Sequence, residues 1–491
     1  MYYPSKEKFV ELSRKGNVVP VYGEMLADFD TPLSAFLKIC GGEFSYLLES
    51  VEQGENLGRY SFLGSSPSLV IKSKGKKIKV ERNGKTEEYE FKKDPIEEVK
   101  TIMSRFKFVG NESLPRFCGG LVGYIGYDTV RFFEDLPDNN PEEHVIPDMH
   151  LILTDTILIF DHVDHKIKIV SNAIIENSPE DAYDNACVKI DAIKKKLKTP
   201  LDKPKKNECF AGSKEIESNF SKKDFCEAVE KTKEYIKAGN IIQLVLSQRF
   251  KKHTDADAFS IYRKLRSINP SPYMYYLKFG DYKLIGSSPE ILVRCEDGLV
   301  EVCPIAGTRP RGKTEEEDKV LEKELLADPK EIAEHIMLVD LGRNDIGRVC
   351  DYASVKAKEI MRIERYSHVM HMVSDVEGRL SKEKDIYDLI RATFPAGTVT
   401  GAPKVRAMEL IDELEPVRRG PYAGCVGYIG FSGNLDMCIT IRTIVMKEKD
   451  AYIQAGAGIV LDSDPEREYQ ETVNKAMAMK KAIEAAEEGL E

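Results

Sequence analysis

Tryptophan is absent from these 491 residues. Chance alone can produce that absence, which also suits a protein made when tryptophan is scarce. No apolar run reaches the roughly 20 residues that cross a bilayer. The opening Met1-Tyr2-Tyr3-Pro4-Ser5-Lys6 lacks the apolar stretch of a secretory signal. The expectation is a cytoplasmic protein with no membrane partner. The ten cysteines form no Cys-x-x-Cys pair, which argues against a zinc site or a disulfide framework and for reduced, mostly buried thiols. A basic excess is missing too. The net charge of −10 argues against a nucleic-acid partner. It leaves room for an anionic small molecule, because a pocket needs only a few local cations.

Apolar residues make up 42% of the chain and charged residues 31%, an ordinary soluble mixture. The length exceeds what one core usually holds, so two domains are expected. The composition shifts once, at a Lys-rich polar stretch around 193–223 with Pro200 and Pro204. This predicts an N-terminal domain over 1–195, a connector over 196–221 and a second domain over 222–491. The two parts echo each other in order. Leu63-Gly-Ser-Ser-Pro-Ser-Leu-Val70 resembles Ile285-Gly-Ser-Ser-Pro-Glu-Ile-Leu292, and Val122-Gly-Tyr-Ile-Gly-Tyr127 resembles Val426-Gly-Tyr-Ile-Gly-Phe431. An internal duplication is the reading. Strand patterns cluster, with a hairpin signal at Arg82-Asn83-Gly84-Lys85. Helical patterns fall at 32–40, 95–106, 179–197, 222–238, 316–327, 329–341, 382–393, 402–414 and 465–488. This predicts an α+β fold of antiparallel β-sheets in a sandwich-like core with helices outside.

Several suggestive motifs lack an essential part. Gly397-Thr-Val-Thr-Gly-Ala-Pro-Lys404 has its Lys misplaced for a phosphate loop. Gly456-Ala457-Gly458 lacks the third glycine of a dinucleotide fingerprint. His162/His165 and His368/His371 have no further metal ligands in view. Gly424-Cys425-Val426-Gly427 lacks the pattern of a glutamine amidotransferase nucleophile, so the chain shows no machinery for releasing ammonia from glutamine.

Two helix starts share one design. Asp328-Pro329 and Asp464-Pro465 each offer a capping Asp and a proline tolerated at the first helical position. Glu331 and Glu334 then lie three apart, as do Glu468 and Glu471, so each pair projects from one face. Four carboxylates suit a hard cation such as Mg²⁺. Capping and dipole effects explain Glu near helix starts equally well. The glycine segments Gln454-Ala-Gly-Ala-Gly-Ile and Pro304-Ile-Ala-Gly-Thr-Arg let backbone N–H groups approach an anion. Arg442, placed inside an apolar strand Cys438–Val445, needs a carboxylate, either structural or from a ligand.

These segments, with Glu334-His-Ile-Met-Leu-Val-Asp-Leu-Gly-Arg-Asn-Asp and Gly397-Thr-Val-Thr-Gly-Ala-Pro-Lys, resemble the signature blocks of the chorismate-utilising enzymes. The resemblance spans about 222–480 and is weaker over 20–165. It implies that Glu334 and Glu471 bind Mg²⁺, supported by Glu331 and Glu468. Gly307, Thr308, Gly456, Ala457 and Gly458 would line chorismate. Tyr422 and Arg442 would grip its enolpyruvyl carboxylate. Glu290 would protonate the departing C4 hydroxyl, His371 would assist pyruvate elimination, and Thr398 would lie near the ring. Ser68 stands where Glu290 would be in the first half, which should not be catalytic. Members that activate water carry a Lys where this chain has Gln243, and members with a covalent nucleophile carry a Lys where it has Ala306. Ammonia needs neither. The implied reaction is ammonia attack at C2 and loss of pyruvate to give anthranilate, the first step of the tryptophan branch. Aminodeoxychorismate formation and an inactive tryptophan-sensing relative are the alternatives. A glutamine amidotransferase small subunit would supply ammonia within a heterotetramer. Ser50, in Leu47-Leu-Glu-Ser50, together with Pro272, Tyr273 and Met274 resembles the family's site for L-tryptophan as inhibitor.

Overall fold

The computed structural model describes residues 1–50, 58–82, 84–143, 146–201, 215–365 and 369–489. Half of the expected connector, 202–214, lies outside them. On one side the Pro179–Leu197 helix runs into that stretch, and on the other Glu217–Ser218 already pairs with Phe250 and Lys251.

Two antiparallel sheets of twelve strands each make up the core of the fold. The first runs in the order Val18–Leu26, Lys166–Ile174, Thr156–Asp161, Tyr60–Ser65, Phe44–Glu49, then Tyr273–Phe279, Tyr282–Ser288, Thr443–Lys447, Asp450–Ile459, Gln243–His253. The second runs Lys85–Glu90, Lys77–Arg82, Leu69–Lys74, Met149–Thr154, Gly120–Ile125, then Cys425–Gly430, Leu435–Ile439, Ile291–Glu296, Leu299–Val302, Val369–Arg379. In each list the first five strands come from the first half of the chain and the next five from the second, in mirrored order. The expected duplication is therefore a pseudo-twofold axis. At one seam the repeated glycine motifs pair with each other, Gly123 opposite Gly427. At the other, Glu49 lies opposite Met274. Each sheet thus continues through both halves of the chain.

The layers follow from strand alternation. Aromatic side chains from both sheets, among them Tyr46, Tyr124, Tyr275, Phe279 and Tyr428, fill the space between them. The outer face of the first sheet is covered by the helices Pro32–Ile39, Pro179–Leu197, Ala258–Ile268 and Pro465–Glu487. Pro95–Met103, Pro329–Gly347 and Ile386–Thr393 cover the other. The expected sandwich with outer helices is the observed fold. The hairpin at Arg82 and Lys85 forms as predicted. One element differs. The strand expected through Arg442 is broken into Leu435–Ile439 in one sheet and Thr443–Lys447 in the other, and Arg442 sits in the link at φ +50°. The chain changes sheets there, which a single apolar run does not reveal.

Candidate active site

The acidic helices begin as their sequences dictate. The Asp328 carboxylate accepts from the N–H groups of Lys330 and Glu331, and Asp464 accepts from that of Arg467. Capping leaves the glutamates free for other work. Arg309 holds Glu331 at 2.9 Å, and Lys475 holds Glu471 at 2.7 Å. Glu334 accepts a hydrogen bond from Gln243 Nε2 at 3.0 Å. Burial raises the pKa of Glu334, with the charges of Glu331 and Glu471 adding to the shift. Burial and Glu471 raise that of Glu468. Negative charge therefore accumulates between the two helix starts, which fits a divalent cation. Among the described residues, no three acidic, histidine or cysteine side chains converge tightly enough to hold an ion alone. A cation there would complete its shell with ligand oxygens and water, as Mg²⁺ does.

Glycines keep the floor open. Gly456, Ala457 and Gly458 lie on Asp450–Ile459, opposite Ser247, Leu246 and Val245. A Cβ on Gly456 would stand 2.8 Å from the Tyr422 hydroxyl, and one on Gly458 2.6 Å from Gln243 Nε2. On the opposite wall Gly307 occupies a bulge at φ +66°. His371 Nδ1 contacts the Gly307 carbonyl at 3.2 Å and Thr308 Oγ1 at 3.0 Å. A carbonyl only accepts, so Nδ1 carries the proton. Burial lowers the pKa of His371 and keeps the ring neutral.

Glu290 is placed by backbone and hydroxyl bonds around it. Ile439 N–H donates to the Glu290 carbonyl at 2.9 Å, and Ser288 Oγ donates to the Ile439 carbonyl at 2.7 Å. Only 8% of Glu290 is exposed, and burial pushes its carboxyl up to about 7. The Thr398 hydroxyl and Lys475 oppose that shift. The Thr398 hydroxyl is buried and closes no good hydrogen bond among the described residues. Glu290, Thr398 and Asp345 share a small cavity with Leu338 and Gly342. Arg442 has no carboxylate partner at ion-pair distance among the described residues, although burial lowers its pKa. The Tyr422 hydroxyl is raised to about 12 by burial, and the Arg419 guanidinium lies 5.5 Å from its ring centroid. Arg419 is itself paired with buried Glu415 at 2.6 Å.

Lys475 was not anticipated. Its ammonium donates to the Gly456 carbonyl at 3.0 Å as well as to Glu471. Its position four residues after Glu471, one helical turn on, was the available signal.

A second cavity of about 110 Å³ brings together Ser50, Pro272, Tyr273 and Met274 with Leu48, Tyr275 and Asp436. The Ser50 hydroxyl is buried without a partner among the described residues. Glu49 beside it points away, accepting from Tyr262 at 2.6 Å and Arg266 at 3.1 Å. Other motifs serve structure. His162 bonds Ser61 at 2.7 Å, and Lys404 pairs with Asp345 at 2.7 Å rather than with a phosphate loop. Cys425 is fully buried, and His368 lies outside the described residues.

The chain belongs to the family of chorismate binding enzymes, whose sequence model matches residues 45–481 and so enters both halves. Within that family it is similar to particular members over its whole length. It is 52% identical to anthranilate synthase component 1 of Acetivibrio thermocellus, over 99% of this chain and 100% of the relative. It is 53% identical to the protein of the same name from Aquifex aeolicus, over 99% of both. Among solved structures, anthranilate synthase component I from Streptococcus pneumoniae superposes with a TM-score of 0.77 at 36% identity, over 93% of this chain and 98% of that one. The menaquinone-specific isochorismate synthase of Escherichia coli shares the fold, with a TM-score of 0.71 at 19% identity over 98% and 99%.

Proposed function

We propose that this chain converts chorismate and ammonia into anthranilate, pyruvate and water. The observation that carries the reading is Arg442: a half-buried guanidinium, without a carboxylate partner at ion-pair distance among the described residues, beside Tyr422. A charge so placed calls for an anionic ligand group. The enolpyruvyl carboxylate supplies it, with the Tyr422 hydroxyl as second donor. The ring carboxylate lies toward Glu334 and Glu471, which would hold Mg²⁺; when bound, the ion would supply charge neutralisation and orientation for that carboxylate.

Glu290, with a carboxyl near 7, is protonated in about half of the molecules at neutral pH, and this form gives its proton to the C4 hydroxyl, which leaves as water. Ammonia forms the new bond at C2. It is already a nucleophile, so Gln243 need only orient, and Ala306 leaves no competing covalent path. The C2 proton then departs as the C3–O bond breaks, releasing pyruvate and leaving an aromatic ring. Neutral His371 assists this elimination.

The chain carries no glutaminase nucleophile pattern, so a partner glutamine amidotransferase subunit delivers the ammonia. The relatives' designation as component 1 supports a second component. L-Tryptophan is the inhibitor, held in the cavity of Ser50, Pro272, Tyr273 and Met274. The Ser50 hydroxyl suits its amino-acid end, and the apolar wall of Leu48, Tyr273 and Tyr275 suits its indole. The decisive experiment mixes purified chain, chorismate, Mg²⁺ and ammonium salt and follows anthranilate fluorescence. Ammonia is expected to support turnover and glutamine alone is not. No anthranilate with ammonia, or efficient use of glutamine by the chain alone, defeats this reading.

A further inference from the structure

The second cavity and the candidate active site share one sheet. Met274 and Tyr275 line the cavity on Tyr273–Phe279. Their partners on the next strand are Ser287 and Gly286, and Gly286 lies opposite Thr443, the residue after Arg442. A single strand therefore separates the cavity wall from Arg442.

Two ties cross that strand. The Ser287 hydroxyl is knotted to the segment leading into the cavity: it bonds the Asn269 carbonyl, Ser271 Oγ at 2.8 Å, and Asn269 Nδ2 at 2.9 Å. The Ser287 N–H donates to the Arg442 carbonyl at 3.1 Å. The second tie passes over Gly286, where a Cβ would fall 2.0 Å from the Tyr275 ring. Thr443 Oγ1 donates to the Ile441 carbonyl, so the Tyr275 hydroxyl donates to Thr443 Oγ1, at 2.5 Å. Both ties end on the backbone around Arg442, which is held in a left-handed conformation that an L-residue seldom adopts unaided.

We propose that Tyr275 and Ser287 are positioning residues that tie Arg442 to the wall of the second cavity, so that filling the cavity shifts the guanidinium and weakens capture of the substrate carboxylate. This rests on the reading of Arg442 as the carboxylate clamp and of the cavity as the tryptophan site. A ligand shifts such an arrangement only through its differential affinity for the two states. Reciprocally, chorismate bound at Arg442 weakens binding in the cavity by the same factor.

The test uses Tyr275→Phe, which keeps the ring in the wall and removes only the tie. Tyr46→Phe is the control, because Tyr46 makes the same crossing over Gly64 to Thr154 Oγ1 at 3.2 Å in the first half. For Tyr275→Phe the chorismate KM is expected to rise about 3- to 10-fold, the range of one neutral hydrogen bond, with kcat within about twofold. Tyr46→Phe should leave KM unchanged. Calorimetry should show L-tryptophan binding to Tyr275→Phe within about threefold of the parent, while half-inhibition needs at least about tenfold more. Ser287→Ala should move KM and inhibition in the same directions. Unchanged KM in both variants, an equal KM rise in Tyr46→Phe, or inhibition that still tracks tryptophan binding would overturn the proposal. A parent chain that binds no tryptophan defeats the cavity reading instead, and the KM comparison then decides the positioning claim by itself.

Discussion

Asn172 and Gly456 hold the same place in the two halves of the molecule. Asn172 lies opposite Pro20, and Gly456 opposite Ser247, on matching strands of one sheet. Around Gly456 the backbone is bare, and the Tyr422 hydroxyl stands where a Cβ would go. Around Asn172 the side chain fills that space and bonds the carbonyls of Cys118 and Asp155 at 2.7 and 3.2 Å. The same substitution of structure for chemistry recurs nearby. Ser68 stands for Glu290, its buried hydroxyl without a partner among the described residues. Asp155, in the link matching that of Arg442, is neutralised by Lys189 at 2.6 Å, and Lys189 stands as far from Pro179 as Lys475 does from Pro465. On that helix Ala182 and Asn185 replace Glu468 and Glu471. One frame thus carries either a core filled by neutral or paired side chains or a site with unmet charge. The difference lies in a few side chains, which is why the fold alone does not assign a function.

The comparison can be broken most severely at the carboxylates. Glu334→Gln or Glu471→Gln should lower turnover more than about a hundredfold, since a Lewis-acidic ion contributes several kcal/mol. Asn185→Asp in the matching helix should leave turnover within about twofold. Near-normal activity of either glutamine variant at low Mg²⁺ would contradict the ligand assignment. Glu290→Gln should slow turnover by about 10²–10⁴-fold with chorismate affinity little changed. A loss confined to affinity would remove the acid role.

Importing the first half's solution is a direct challenge. Gly456→Asn should raise the chorismate KM by at least about tenfold, because the floor has no room for a side chain. Asn172→Gly should give no new activity and cost about 1–3 kcal/mol in denaturant unfolding, through two lost buried hydrogen bonds and a freer backbone.

Titration separates the halves further. The Glu290 carboxyl is raised from 4.5 to about 7. Its protonated form dominates below that value, so kcat should fall as pH rises past about 7. For stability the sign is the same: a raised folded pKa favours the fold fully below about 4.5, and this contribution is lost as pH rises through about 7. Glu290→Gln should therefore stabilise the fold in thermal unfolding at pH 8, by up to about 1–3 kcal/mol, and not at pH 4. Equal effects at both pH values would refute the buried-acid assignment. The smallest effect is expected for Ser68→Ala, within about 1 kcal/mol, because its hydroxyl has no bond to lose among the described residues.

Much of this was legible in the residues. The Asp-Pro helix starts and the (i, i+3) glutamates are local signals, and both helices form where these begin. The paired glycine motifs announced the duplication, though not that they would lie against each other, because strand pairing across hundreds of residues leaves no local trace. The Lys356–Arg365 strand escaped notice: it lies at an edge and carries Glu359 and Met361 at positive φ, which removes the alternation that identifies strands. Arg442 stood out as a charge inside an apolar run but was placed within one strand, since hydropathy does not record a change of sheet. The ties through Tyr275 and Ser287 depend on register and were invisible in the sequence.

The seams also bear on synthesis. Glu49 and Gly123 leave the ribosome long before their partners Met274 and Gly427. At about 5–20 residues per second, the two strand edges wait on the order of ten seconds to a minute with unpaired backbone groups exposed. During that interval the nascent first half offers two strand edges open to other chains. Production of this protein should therefore respond strongly to translation speed and to chaperones that shield strand edges, even though the finished sheets leave neither seam open.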